Sequence, residues 1–158
     1  MRIEPLKQHH QHIPQLAYLM HQEWHAFAPW ASIAAIEARL LHAASEATLP
    51  YALIALSAQN QVLGTASIKL RELAQYQQHQ DKQHWLGEVF IHPQQRGQGV
   101  GSALIRACIA YASQLGLPAL YLYTPDQQAL YRRFGWFDLE QISVNGESVT
   151  LMRLDLKP

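Results

Sequence analysis

The feature that most constrains this chain is the stretch Trp85–Leu115, in which a strand pattern, a Gly-rich turn and a long helix pattern follow without a spacer. Val89, Phe90 and Ile91 form a β-branched and aromatic run, and Pro93 ends it because proline cannot donate to a sheet ladder. From Val100, apolar or small residues at Ala103, Leu104, Ala107, Cys108, Tyr111 and Leu115 keep helical spacing, and Gly116 with Pro118 stops it. Between them lies Arg96-Gly97-Gln98-Gly99-Val100-Gly101-Ser102. Alternating glycines remove Cβ atoms where a ligand must approach and permit positive φ, while the first helical turn leaves N–H groups without internal partners. The helix dipole adds roughly half a positive charge there, so the turn suits a phosphate. A Gly-rich connection that binds nothing is the plainer alternative.

Two nucleotide motifs are excluded. A P-loop needs Gly-Lys-Ser/Thr at the helix entrance, where this chain has Val100-Gly101-Ser102. A dinucleotide fingerprint counted from Gly97 needs glycine at its sixth position, which is Ser102. Arg96-x-x-Gly99-x-Gly101, preceded by Ile91-His92-Pro93, resembles instead the acetyl-CoA pyrophosphate motif of the GNAT N-acetyltransferase superfamily. The resemblance extends through Leu120–Trp136, LYLYTPDQQALYRRFGW, and the order of elements agrees over nearly the whole chain.

The remaining sequence fits one α/β domain over residues 1–158, long enough for a single core and too short for two ordinary ones. Its 12 basic residues balance 12 acidic ones, and about half the residues are apolar, which argues against a disordered tail or a nucleic-acid surface. No stretch approaches the roughly 18 apolar residues of a membrane span, and the N-terminus lacks a signal peptide's apolar core, so a cytoplasmic location is expected. The single Cys108, on the apolar face of the long helix, reads as a buried small hydrophobe.

A strand is expected at 2–6, a helix from Pro14 towards Trp24, and a second from Ser32, its N-cap, to Ala44. Trp24, Phe27, Pro29 and Trp30 crowd aromatic surface between them, either a plug over the core or a substrate wall. Strands at 51–57 and 62–70 flank a turn at Gln59-Asn60-Gln61, and Gly64 signals a bulge or a close approach. A polar loop, Gln-rich from Gln75 to Gln83, leads to the central strand at 85–92. After a strand at 119–123, Thr124-Pro125-Asp126-Gln127 reads as a capped helix start with proline in the first helical position, and Gly135 ends that helix. Asn145-Gly146 turns a closing hairpin between 137–144 and 148–156. The sum is a mixed sheet of about seven strands with four helices. No metal is expected: His9, His10 and His12 lack a cysteine or carboxylate at ligand spacing, and His21 and His25 lack the zinc protease pattern, so both groups read as solvated.

The resemblance implies acetyl-CoA as co-substrate, bound through the backbone of Gly97, Gln98, Gly99, Val100, Gly101 and Ser102, with Arg96 holding the turn or adding charge. The strand at Val89, Phe90 and Ile91 would lend its main chain to the pantetheine arm. Tyr131, between Leu130 and Arg132-Arg133-Phe134-Gly135-Trp136, takes the family's general-acid position; a phenol of pKa near 10 is a competent donor to a leaving thiolate. Many members carry asparagine seven residues earlier, where this chain has Thr124, which offers fewer hydrogen bonds to CoA. Glu88, projecting with Phe90 and His92 from the opposite side of the strand to Val89 and Ile91, is the candidate base; an acid that pairs with a nearby base is the alternative. His84 and Glu23 are weaker bases, and Trp24, Phe27, Trp30 and His84 the candidate substrate wall. The implied reaction is acetyl transfer to a primary amine by direct attack in a ternary complex. A small-molecule amine is the first expectation and a peptide or protein N-terminus the second. Homodimerisation is a family expectation, and a non-catalytic acyl-CoA sensor or interaction module on the same fold is the alternative.

Overall fold

The computed structural model describes residues 1–73 and 76–156. Seven strands form one mixed sheet: β1 (Arg2–Pro5), β2 (Tyr51–Leu56), β3 (Val62–Lys69), β4 (Trp85–Ile91), β5 (Ala119–Thr124), β6 (Phe137–Val144) and β7 (Glu147–Asp155), ordered β1-β2-β3-β4-β5-β7-β6. Among the described residues four α-helices accompany it: α1 (Ile13–Trp24), α2 (Ile33–Ala43), α3 (Val100–Gln114) and α4 (Gln128–Arg133). The chain divides into two compact units, one of Met1–Ile68 with Gly87–Cys108, the other of Lys69–Leu86 with Ile109–Pro158.

In the first unit, α1 and α2 bury one stripe each. Ile13, Leu16, Ala17 and Met20 on α1, and Ile36, Leu40 and Ala43 on α2, keep the spacing of a single helix face and join Ile54, Leu56 and Phe90 in one core cluster. Ser32 caps α2 as expected, its hydroxyl accepting from Ala35 N at 3.2 Å. Gly64 is both things its sequence suggested. The β2–β3 register slips so that Ala55 faces Gly64 while Leu56 faces Val62, and a Cβ on Gly64 would lie 2.5 Å from the Phe90 carbonyl oxygen.

In the second unit, β5, β7 and β6 run antiparallel in sequence-distant order, and β4 pairs parallel with β5 at Trp85 opposite Tyr121. Asn145 (φ 53°) and Gly146 (φ 79°) make the hairpin turn, both left-handed as a type I′ turn demands. Trp85 is fully buried with Val149 and Leu151, and Trp136 is buried with its indole N–H donating to Leu120 O at 3.2 Å.

Several expectations need correction. The buried positions of α3 are Val100, Leu104, Ile105, Cys108 and Ala112, so Ala103, Ala107 and Tyr111 stand at the margin of the stripe. The fourth helix begins at Gln128, three residues after Pro125. Thr124 still ends β5 and accepts from Gln127 N at 3.0 Å, and the Gln128 side chain donates to Thr124 O, Pro125 O and Thr150 Oγ1, tying the intervening turn down before the helix starts. His9 pairs with Glu4 (Nε2 to Oε1 2.7 Å) and His21 Nδ1 donates to Trp30 O at 2.8 Å, so neither is simply solvated. The loop before β4 is structured at its core: His79 is buried, Arg71 donates to Gln80 O, and Trp85 Nε1 donates to Lys82 O. Gln75 lies outside the described residues. Among the described residues no helix is long and apolar enough to cross a membrane, and no cluster of three or more His, Cys, Asp or Glu gathers to hold a metal.

Candidate active site

Past β4, a single 3-10 turn at Pro93–Gln95 redirects the chain, with His92 Nδ1 accepting from Gln94 N and His92 N donating to Leu63 O at 2.8 Å. The turn that follows has the conformation its glycines foretell. Gly97 and Gly99 adopt φ of 78° and 84°, and nothing lies within 4 Å of where their Cβ atoms would stand. Gly101 differs, because it is already helical and its Cβ would meet Ile91 at an ordinary 3.6 Å. The first helical bond beyond the turn is Ala103 N to Gly99 O at 3.1 Å, so the N–H groups of Val100, Gly101 and Ser102 precede the ladder. No acidic residue stands in that first turn. Backbone donors outside the helical ladder, a missing Cβ at two positions and the positive end of a fifteen-residue helix can hold a diphosphate.

Arg96 ties the turn down while its side chain stays about half exposed, at 47 %. Its Nε donates to Ile91 O at 3.2 Å and its Nη2 pairs with Glu23 Oε1 at 2.8 Å, binding the turn to the end of β4 and to α1. Glu23, a weaker candidate base, is thereby committed to an arginine.

Glu88 sits in the middle of β4 with φ 52°, a left-handed conformation that costs a non-glycine residue roughly 1–2 kcal/mol. Its side chain is 6 % exposed and its Oε1 lies 2.9 Å from Arg39 Nε on α2. Glu88 therefore faces the helices that cover Phe90, the side expected for it, and it has the nearby base that was the alternative to a catalytic role. Arg39 in turn lies 4.7 Å over the Trp30 ring, Trp30 packs 4.6 Å from Trp24, and Trp24 meets the edge of Phe90 at 5.7 Å. Phe27 joins the same turn through backbone bonds, Phe27 N to Trp24 O and Trp30 N to Phe27 O, both 2.9 Å. Thus the first unit brings together Trp24, Phe27, Trp30, Glu88 and Phe90, all named from sequence, with Arg39, which was not. Its signal was readable in retrospect: Arg39 falls three residues after Ile36, on the margin of the buried face of α2.

Tyr131, Thr124 and His84 belong to the second unit. Tyr131 is 8 % exposed and stacks edge-on against Trp136 at 5.6 Å, which fixes its ring. Thr124 is buried, its hydroxyl accepting from Gln127 N. His84 adopts φ 73°, its backbone bonding Leu70 O and Tyr121 N. Burial, with Arg71 adding to it, holds its imidazole pKa below the usual value and favours the neutral ring. Burial also pushes the Cys108 thiol up to about 12, which makes it inert as a nucleophile.

No curated protein sequence matches the chain. Solved structures share its fold. An aminoglycoside 6'-N-acetyltransferase complexed with coenzyme A superposes with a TM-score of 0.76 at 14 % identity, over 100 % of this chain and 98 % of that one. A spermidine N-acetyltransferase chimera from Vibrio cholerae and hSSAT gives 0.72 at 16 % identity, over 99 % and 97 %. A GNAT-family acetyltransferase from Streptococcus pneumoniae gives 0.72 at 17 % identity, over 99 % of both chains. The sequence profile of the Acetyltransferase (GNAT) family matches residues 13–136, a span that takes in the glycine turn, Glu88 and Tyr131. This chain belongs to the GNAT acetyltransferase family.

Proposed function

We propose that residues 1–158 act as one acetyl-CoA-dependent N-acetyltransferase domain, moving an acetyl group to a primary amine by direct attack in a ternary complex. The acceptor is a small-molecule amine, with a peptide or protein N-terminus as the second choice. The observation that carries this reading is the Arg96–Ser102 turn, with its two left-handed glycines at the head of α3, in a chain of this family. The thioester co-substrate supplies the activated acetyl group. In the proposed mechanism the N–H groups from Gly97 to Ser102 bind its diphosphate, Arg96 keeps the turn in register, and the β4 main chain at Val89, Phe90 and Ile91 receives the pantetheine arm.

The acceptor amine is mostly protonated at neutral pH and must lose a proton before its lone pair can attack. Glu88 takes that proton through a water, its carboxylate oriented by Arg39. The amine nitrogen bonds to the acetyl carbon, the carbon–sulfur bond breaks, Tyr131 donates its phenolic proton to the departing sulfur, and the second proton on the newly acylated nitrogen is lost through solvent, which restores the phenol. A primary amine thereby becomes an amide and the co-substrate becomes free thiol.

The test is amine-dependent thiol release from acetyl-CoA, with the N-acetylated product identified by mass spectrometry in equal amount. Tight acetyl-CoA binding with no amine-dependent release across a broad amine panel would replace this reading with that of a non-catalytic acyl-CoA-binding module.

A further inference from the structure

Two acids of the first unit have arginine partners. Glu88 is bound to Arg39 at 2.9 Å and Glu23 to Arg96 at 2.8 Å, both within the first unit. What the first unit offers beside Glu88 is aromatic: Trp24, Phe27 and Trp30 are half-buried, with Trp24 and Trp30 packed on the core cluster. The Arg39 guanidinium rests on Trp30, occupying one face of it with positive charge.

We infer that the acceptor is an amine with a single cationic centre on an aromatic or apolar body, and that Arg39, by neutralising Glu88, is the residue that disfavours polycations. This deepens the N-acetyltransferase reading and rests on it. A polycation needs a carboxylate for each ammonium that it withdraws from water, because an unpaired charge moved out of water is costly. Here Glu88 and Glu23 already have arginine partners. An aromatic body, by contrast, gains by packing on indole and phenyl surface and needs no counter-charge. The chain's formal net charge of zero supplies no long-range attraction for polycations either.

The test titrates the chain calorimetrically, free and loaded with CoA, with phenylethylamine and with spermidine. Binding in the presence of the thiol product does not depend on turnover. Phenylethylamine is expected to bind at least about tenfold more tightly than spermidine, and Arg39→Gln to narrow that ratio by about tenfold by exposing the Glu88 charge. Should Arg39→Gln not fold, Glu88→Gln serves in its place: with the acid gone, phenylethylamine is expected to keep its advantage. Spermidine binding as tightly as phenylethylamine, neither amine binding, or an unchanged ratio in folded Arg39→Gln overturns the inference. Failure of the transferase reading looks different: no CoA binding, or amines bound in the expected order with no thiol release.

Discussion

Gly64→Ala tests the packing that positions β4. The ideal Cβ would lie 2.5 Å from the Phe90 carbonyl oxygen, 3.1 Å from Ile91 Cδ1 and 3.3 Å from Leu104 Cδ1. The two side-chain contacts are relieved by small rotations. The first is not, because its partner is backbone in the adjoining strand. Relief requires β4 to move by several tenths of an ångström just where Phe90 and Ile91 pack to opposite sides. Overpacking of a tight site costs about 1–3 kcal/mol, and the loss of glycine's unfolded-state freedom returns about 0.4–1 kcal/mol. With the clash against backbone, the upper part of the first range applies, and the net loss is about 2 kcal/mol. For a chain of 158 residues that lowers Tm by about 4–8 °C. Urea unfolding followed by far-ultraviolet circular dichroism reads it as a lower midpoint at unchanged slope. Gly101→Ala is the control: its Cβ meets Ile91 at 3.6 Å, without a clash, and a helical alanine is worth up to about 1 kcal/mol over glycine, so stability should hold or rise. Equal midpoints for wild type and Gly64→Ala, or a Gly101→Ala variant less stable than Gly64→Ala, would refute the reasoning.

Tyr131→Phe is expected to lower kcat by about 10²-fold or more with acetyl-CoA affinity within about twofold, since general acids contribute about 10²–10⁴; undiminished turnover would remove the phenol from the acid role. Gly99→Glu places a carboxylate and a side chain at φ 84°, at the positive end of α3, and should abolish calorimetric CoA binding in a variant that still folds. His84 and His12 both have pKa values lowered mainly by burial, by Arg71 and His9 respectively as the second cause. The unfolded chain therefore takes up protons first as pH falls, so these groups contribute stability that is complete above about pH 6.5 and declines below it. The urea midpoint of His84→Gln should fall less between pH 7.5 and 5.5 than that of the wild type; an equal or steeper fall would contradict it.

What the sequence made legible was local. The strand–turn–helix around Arg96–Ser102, the Ser32 cap, the Asn145-Gly146 turn and both readings of Gly64 depend on residues a few positions apart, where backbone preference and side-chain period act directly. What escaped it was paired across the chain. Arg39 meets Glu88 across 49 residues and Arg96 meets Glu23 across 73, and no period or turn signal encodes such partners. The left-handed Glu88 was equally hidden, because nothing in the residues around it marks a positive φ for a glutamate within a strand run. The start of α4 was misplaced because Thr124-Pro125-Asp126-Gln127 satisfies a capping pattern locally, whereas the Gln128 side chain spends the nearby carbonyls on the turn. His79 read as part of a polar loop and is buried, a fact that its glutamine-rich neighbours concealed.

The central claim is that the turn at Gly97–Ser102 binds the diphosphate of acetyl-CoA. Calorimetric titration of the purified chain with acetyl-CoA and CoA, with NADH and ATP run in parallel, tests it most directly. One-to-one binding of both CoA species is expected, with none of comparable strength for NADH or ATP. Equal binding of all four, or of none, would contradict it.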